Sequence, residues 1–157
     1  MESLYREKKW NTELEFKTEK AVFIGAYSIR KLKENNHLNC KILGMNAHLF
    51  SYNARQGFDP DENEKWIRGY DHMNGKKECL SLETLCNQFI HSKRYSPFVP
   101  GGLGCVGFYF ASDSYYKNKI FYVQLVQLVN IFLSVARGKV VKLSLDIEGS
   151  NIRVKDI

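Results

Sequence analysis

The alternation of apolar and polar positions divides the chain into readable segments. Asn11 to Asn35 predicts one long helix. Its first half is charged (Glu13, Glu15, Lys17, Glu19, Lys20), while Ala21 to Arg30 is nearly all apolar. That contrast predicts a central helix packed on more than one side. Arg30 follows Phe23 and Tyr27 at helical spacing, and an arginine drawn into such packing needs a partner, either an ion pair or a site. Lys41 to Tyr52 then reads as a strand, because Met45, Ala47 and Leu49 alternate with Asn46, His48 and Phe50. Asn53 to Lys65, with Gly57, Pro60 and an acidic cluster, reads as a surface loop. Trp66 to Lys77 carries the turn signals Gly69 and Asn74-Gly75.

The strongest helical pattern is Leu82 to Tyr95. Leu82, Leu85, Cys86, Phe89 and Ile90 form an amphipathic stripe, Ser81 can cap it, and Pro97 ends it. A glycine-rich link, Pro100 to Gly104, lacks the Lys and Ser/Thr of a phosphate-binding loop. Strands follow at Cys105 to Ser112 and Lys119 to Gln124, with a turn between them. A helix from about Val126 to Arg137 closes on Gly138. Val140 to Ile147 and Asn151 to Lys155 predict a hairpin around Glu148-Gly149-Ser150. The expected fold is α+β in a single domain over 1–157, helix-rich over 1–96 and strand-rich over 103–157. Two helices of the N-terminal half pack with a mainly antiparallel sheet, built largely by the C-terminal half, and with a third helix.

Composition adds limits. The chain has 157 residues, enough to bury a core without staples. Its net charge of +6 leans toward the C-terminal half, +2 over residues 1–80 against +4 over 81–157. A basic balance permits contact with a polyanion. Ile120 to Ala136 carries no charge, but Gln127, Asn130 and Ser134 recur at helical spacing and the stretch is short for a bilayer span. No membrane segment is expected. Met1 to Trp10 is charged rather than apolar, so no secretory leader is expected, and the four cysteines are expected to be reduced in the cytoplasm. Their spacing, with His48 or His72, matches no standard zinc pattern, and no cofactor is expected.

Candidate chemistry gathers on the 82–95 segment. Read as one helix, Thr84, Asn87, His91 and Arg94 make a polar row beside the apolar stripe. An imidazole exchanges protons near neutrality, a guanidinium holds phosphate through forked bonds, and an amide positions either partner. These are the parts of metal-independent phosphodiester chemistry. The same row also suits a bland reading, the outer face of an ordinary amphipathic helix.

Leu85-Cys86-Asn87-Gln88-Phe89-Ile90-His91-Ser92, with Ala26-Tyr27-Ser28-Ile29-Arg30-Lys31-Leu32, resembles a family of small uncharacterised bacterial proteins. The likeness extends through Ser112-Asp113 and Tyr122 to the C-terminal hairpin. Asn87-x-x-x-His91 is also similar to the HEPN ribonuclease motif, an Arg followed by a polar residue, three variable residues and His. Cys86 stands at the Arg position, so Arg30 or Arg94 would supply the guanidinium. The resemblance implies an RNA-directed module, a ribonuclease or toxin component of a bacterial defence system, with His91, Asn87, Arg94 and Arg30 as site residues. The alternative is a non-catalytic subunit that meets a protein partner or a second copy of itself, through the Gly101–Gly104 link and the 53–65 loop.

Overall fold

The computed structural model describes residues 10–61, 65–102, 104–138, 142–144 and 153–155. Helix α1 spans Thr12–Glu34. Asn11 caps its start by accepting from the Leu14 amide, and Asn36, at φ 56, turns the chain out of it. A four-residue helix, α2 (Cys40–Leu43), follows under an Asn39 cap, so the strand expected from Lys41 begins only at Asn46. Asn39 accepts from the Ile42 amide, which winds one turn before the alternation can take over.

The strands are β1 (Asn46–Asn53), β2 (Lys76–Ser81), β3 (Ser92–Phe98), β4 (Gly107–Ser112) and β5 (Lys119–Gln124). They form one antiparallel sheet in the order β2-β1-β5-β4-β3. Three of the five precede residue 99, so the sheet draws on both halves of the chain rather than mainly on the C-terminal one. Helices α3 (Leu82–Ile90) and α4 (Leu125–Arg137) join α1 on one face of it. There Ala47, Leu49, Phe108, Phe110, Phe121 and Val123 meet Val22, Ala26 and Ile29 of α1 and Leu85 and Phe89 of α3. Each fully buried Val, Leu, Ile or Phe among them contributes about 1.5–3 kcal/mol.

Helix α1 packs on one stripe, not on several sides: Phe16, Ile24 and Tyr27 stay exposed. Gly25 lies against the Phe132 ring of α4, where a Cβ would sit 2.5 Å from Phe132 Cε2. On the opposite sheet face a second cluster forms around Tyr70, Ala111, Tyr116 and Ile120, covered by residues 54–61 and 65–75 with their 3-10 turns at Trp66–Gly69 and His72–Asn74. Strands β6 (Lys142–Ser144) and β7 (Arg153–Lys155) pair as the expected hairpin, and its turn at 148–150 lies outside the described residues. Among the described residues no helix is long and apolar enough to cross a membrane.

The 82–95 segment does not continue as one helix. It ends at Ile90, and His91 is its C-cap, with its amide donating to the Asn87 carbonyl at 3.0 Å. The apolar stripe needs its next residues at 93 and 94, and these are Lys and Arg. From Ser92 the chain instead pairs with β4, where Tyr95 stacks on Phe108 at 5.4 Å. Pro97 sits inside β3 rather than ending a helix, because β3 is an edge strand and needs no amide there.

Candidate active site at the α1–α3 cleft

Ser81 starts α3 by accepting from the Thr84 amide at 3.1 Å, and the two hydroxyls lie 2.9 Å apart. Thr84 therefore belongs to the cap rather than to a site. The stripe of α3 buries Leu82, Leu85, Cys86 and Phe89, which leaves Asn87 half-buried at the rim and His91 exposed at the helix end. Helix α1 runs along the same side. Ile29 is in the core, and Arg30, next in sequence, emerges at the rim.

That packing places Arg30 Nη1 3.5 Å from His91 Nε2. A guanidinium only donates, so this contact requires a lone pair on Nε2, with the ring proton on Nδ1. A proton on Nε2 as well would set two cations against each other. Arg30 Nε donates to Glu34 at 3.0 Å, one helical turn on, and Lys31 pairs with Glu34 at 2.7 Å. Lys33 reaches across to Glu83 of α3. The hydrogen bond from Lys31, then that from Arg30, holds the Glu34 carboxyl below its usual range.

Two hollows meet at Asn87. The larger, 390 Å³, is bordered by Arg30, Lys33, Glu34 and Asn87, with Ile29 and Cys86 on its apolar side. The smaller, 320 Å³, is lined by Asn87, His91, Ser112, Asp113 and Ser114. Buried Gln88 closes the wall between helix and sheet by accepting from the Ser112 amide at 3.3 Å. Cys86 cannot do what an arginine does at that position. Burial, then the nearby Glu83 charge, pushes its thiol up to about 12, so it stays neutral and is a poor nucleophile.

The structure thus brings together three of the four expected residues: Arg30, Asn87 and His91. Arg94 is not one of them. It lies on β3, and its Nη2 donates to the Pro60 carbonyl at 2.5 Å and to Asp61 Oδ1 at 3.0 Å. Its guanidinium sits over Trp66 and Tyr116 at 6.0 and 5.9 Å. This is a tie between the sheet edge and the 60–61 loop. The expected row failed at Arg94 because the helix stops four residues before it.

Asp113, which the sequence pattern puts in a turn, lies beside His91. Its amide donates to the His91 carbonyl at 3.2 Å, and it shares the smaller hollow with the imidazole. The antiparallel β3–β4 pair brings the end of β4 to the start of β3, so ending the helix at Ile90 would have revealed it. Glu34 carried an available signal, the four-residue spacing from Arg30.

Family models, curated proteins and solved structures offer no match to this chain. The site therefore stands on its own geometry. Among the described residues no three His, Cys, Asp or Glu side chains gather as metal ligands would.

Proposed function

We propose that the chain is an RNA-directed module whose α1–α3 cleft cleaves the RNA backbone, as a HEPN-like ribonuclease or toxin component of a bacterial defence system would. The observation that supports it is the Arg30–His91 pair, a guanidinium against an imidazole lone pair at the edge of an open cleft. RNA carries its own nucleophile. As Arg30 turns from His91 to the phosphate, the freed Nε2 lone pair accepts the 2′-hydroxyl proton, the 2′-oxygen attacks the adjacent phosphorus, and the bond to the 5′-oxygen breaks. The leaving oxygen takes a proton from water, which gives a 2′,3′-cyclic phosphate and a 5′-hydroxyl end. Arg30 neutralises the phosphoryl oxygens as charge builds on them, and Asn87 positions the phosphate or the ring. Asp113 flanks the imidazole. The exposed and buried cysteines, all free, suit a cytoplasmic protein.

The reaction needs no metal, so cleavage of a single-stranded RNA is expected to persist in EDTA. His91→Ala is expected to slow it by about 10²–10⁴-fold, the usual contribution of a general acid or base. RNA left intact in every buffer, or His91→Ala cleaving at the wild-type rate, would sink the proposal.

A second reading, a non-catalytic subunit of a bacterial complex, has its own observation. Val126, Val129 and Leu133 of α4 stand 63%, 43% and 41% exposed at helical spacing, an apolar stripe suited to a protein partner or a second copy. On this reading His91→Ala costs assembly or stability rather than turnover. Elution as a monomer with no co-purifying chain counts against it.

A further inference from the structure

The sheet face opposite the helices presents rings where a solvated sheet would present polar groups. The register sets which residues point there: His48, Phe50 and Tyr52 from β1, Lys77 and Cys79 from β2, Phe98 from β3, Tyr109 from β4, Tyr122 and Gln124 from β5. Residues 54–61 and 65–75 cover one end of this face, around Tyr70 and Ile120, and the His72 ring reaches Tyr52 at 4.9 Å and Tyr109 at 5.4 Å. Over the remainder the rings are half-exposed and Phe98 is exposed.

These rings form a continuous track. Phe98 lies 5.7 Å from Tyr109 and 6.0 Å from Tyr122, and Tyr109 lies 5.0 Å from Tyr122. Gly107 makes room for it, since a Cβ there would meet the Tyr122 hydroxyl at 2.5 Å and the Val123 carbonyl at the same distance. Beside the track, a concave basin of 490 Å³ is bordered by His48, Phe50, Lys77, Cys79, Tyr122 and Gln124, and by Glu78, whose carboxylate Lys119 holds at 2.9 Å. No Asp or Glu points outward from any of the five strands, while Lys77 and the imidazole of His48 do. The surface is therefore ring-lined and polar at its margins, and the Glu78 carboxylate that borders the basin is paired with Lys119. An aliphatic protein contact would not need such rings. Unpaired bases stack on rings, and their phosphates seek cations.

We propose that this face is a binding platform for single-stranded RNA, with bases stacked along Phe98, Tyr109 and Tyr122 and one base held in the basin between Phe50, Lys77 and Gln124. The inference rests on the RNA-directed reading and adds a place for the substrate outside the cleft. Strand β3 links the two sites. It starts beside His91 and carries Phe98 at its far end, about 20 Å on at the rise of a β-strand.

The test is a fluorescence-anisotropy titration of the full chain with a labelled single-stranded RNA and with its duplex, in EDTA, using His91→Ala as the background so that no RNA is cut. Phe98→Leu and Tyr122→Leu keep apolar packing but remove the flat ring. Each is expected to weaken single-strand binding by about 5- to 100-fold, the value of one base–ring stack. Tyr122→Phe keeps the ring and is expected to bind like the background protein. The duplex, whose bases are already stacked, is expected to bind much more weakly. Single-strand binding unchanged in both leucine variants, or equal binding of the duplex, overturns the platform and leaves the RNA-directed reading standing. No RNA binding by the background protein overturns both. A dimer that Phe98→Leu dissociates, with RNA ignored, makes the face a protein contact and overturns the platform as well.

Discussion

Tyr95 shows how a side chain can fit by its ring and not by its polar tip. The ring stacks on Phe108 at 5.4 Å and meets Phe23 edge-on at 5.3 Å. Its hydroxyl is buried with no protein hydrogen-bond partner among the described residues, and burial drives its pKa upward. A buried hydroxyl without a partner costs about 1–3 kcal/mol. Tyr95→Phe keeps the ring contacts and removes that cost, so thermal unfolding is expected at the wild-type temperature or above it. A clear fall in Tm would mean that the hydroxyl has a partner. At the same scale, Arg30 and Arg94 have exchanged the roles that spacing alone suggests. Arg30 was expected to be drawn into packing, yet it stands at the rim beside His91. Arg94 was placed on an open helix face, yet it lies over Trp66 and Tyr116 and bonds to the loop.

The loop at Pro60 and Asp61 is what Arg94 holds. Asp61 is its anchor, accepting from the Tyr116 hydroxyl at 2.8 Å and pairing with Arg94 and Lys117. The Tyr116 hydrogen bond, followed by the charges of Lys117, Arg94 and Lys93, holds the Asp61 carboxyl below its usual range. A depressed folded pKa gives stability that is present above the ordinary carboxylate value, about 3.9, and is lost as pH falls through the folded one. Acid titration below about pH 4 is therefore expected to loosen the chain at Asp61. Trp66, at the Arg94 guanidinium, can report it by fluorescence. Asp61→Asn is expected to remove that step, and an unchanged acid transition in that variant would refute the anchor. Arg94→Ala is expected to cost about 2 kcal/mol, the value of its charge-assisted bond to the Pro60 carbonyl. For a chain of this size that is a fall in Tm of about 4–8 °C.

Across the whole molecule, the sequence was most legible where one period dominated. Helices α1 and α4 and strand β5 lie where the pattern put them, within a residue or so, because each has clean periodicity and a readable end. The α+β class follows from those elements. The boundary between α3 and β3 was not legible. Ile90 to Tyr95 has no glycine or proline to mark a stop, and the strand is selected by pairing with β4, a partner distant in sequence. That single boundary decided the site. It separates Arg94 from the other candidates and sets Asp113 beside His91, while Arg30, Asn87 and His91 lie together because α1 packs against α3 over their common apolar stripe. The outer sheet face could not be recognised as an aromatic track before the register was known, since its rings come from four strands.

Arg30, rather than Arg94, is the guanidinium proposed for the cleft. The most direct measurement is the initial rate of single-stranded RNA cleavage in EDTA by Arg30→Ala and Arg94→Ala side by side, well below both melting temperatures. Arg30→Ala is expected to lose about 10²-fold or more, the scale of removing one charge-stabilising donor. Arg94→Ala is expected to cleave at the wild-type rate, with 2′,3′-cyclic phosphate ends. Equal rates for Arg30→Ala and wild type, or a collapse of activity confined to folded Arg94→Ala, would contradict it.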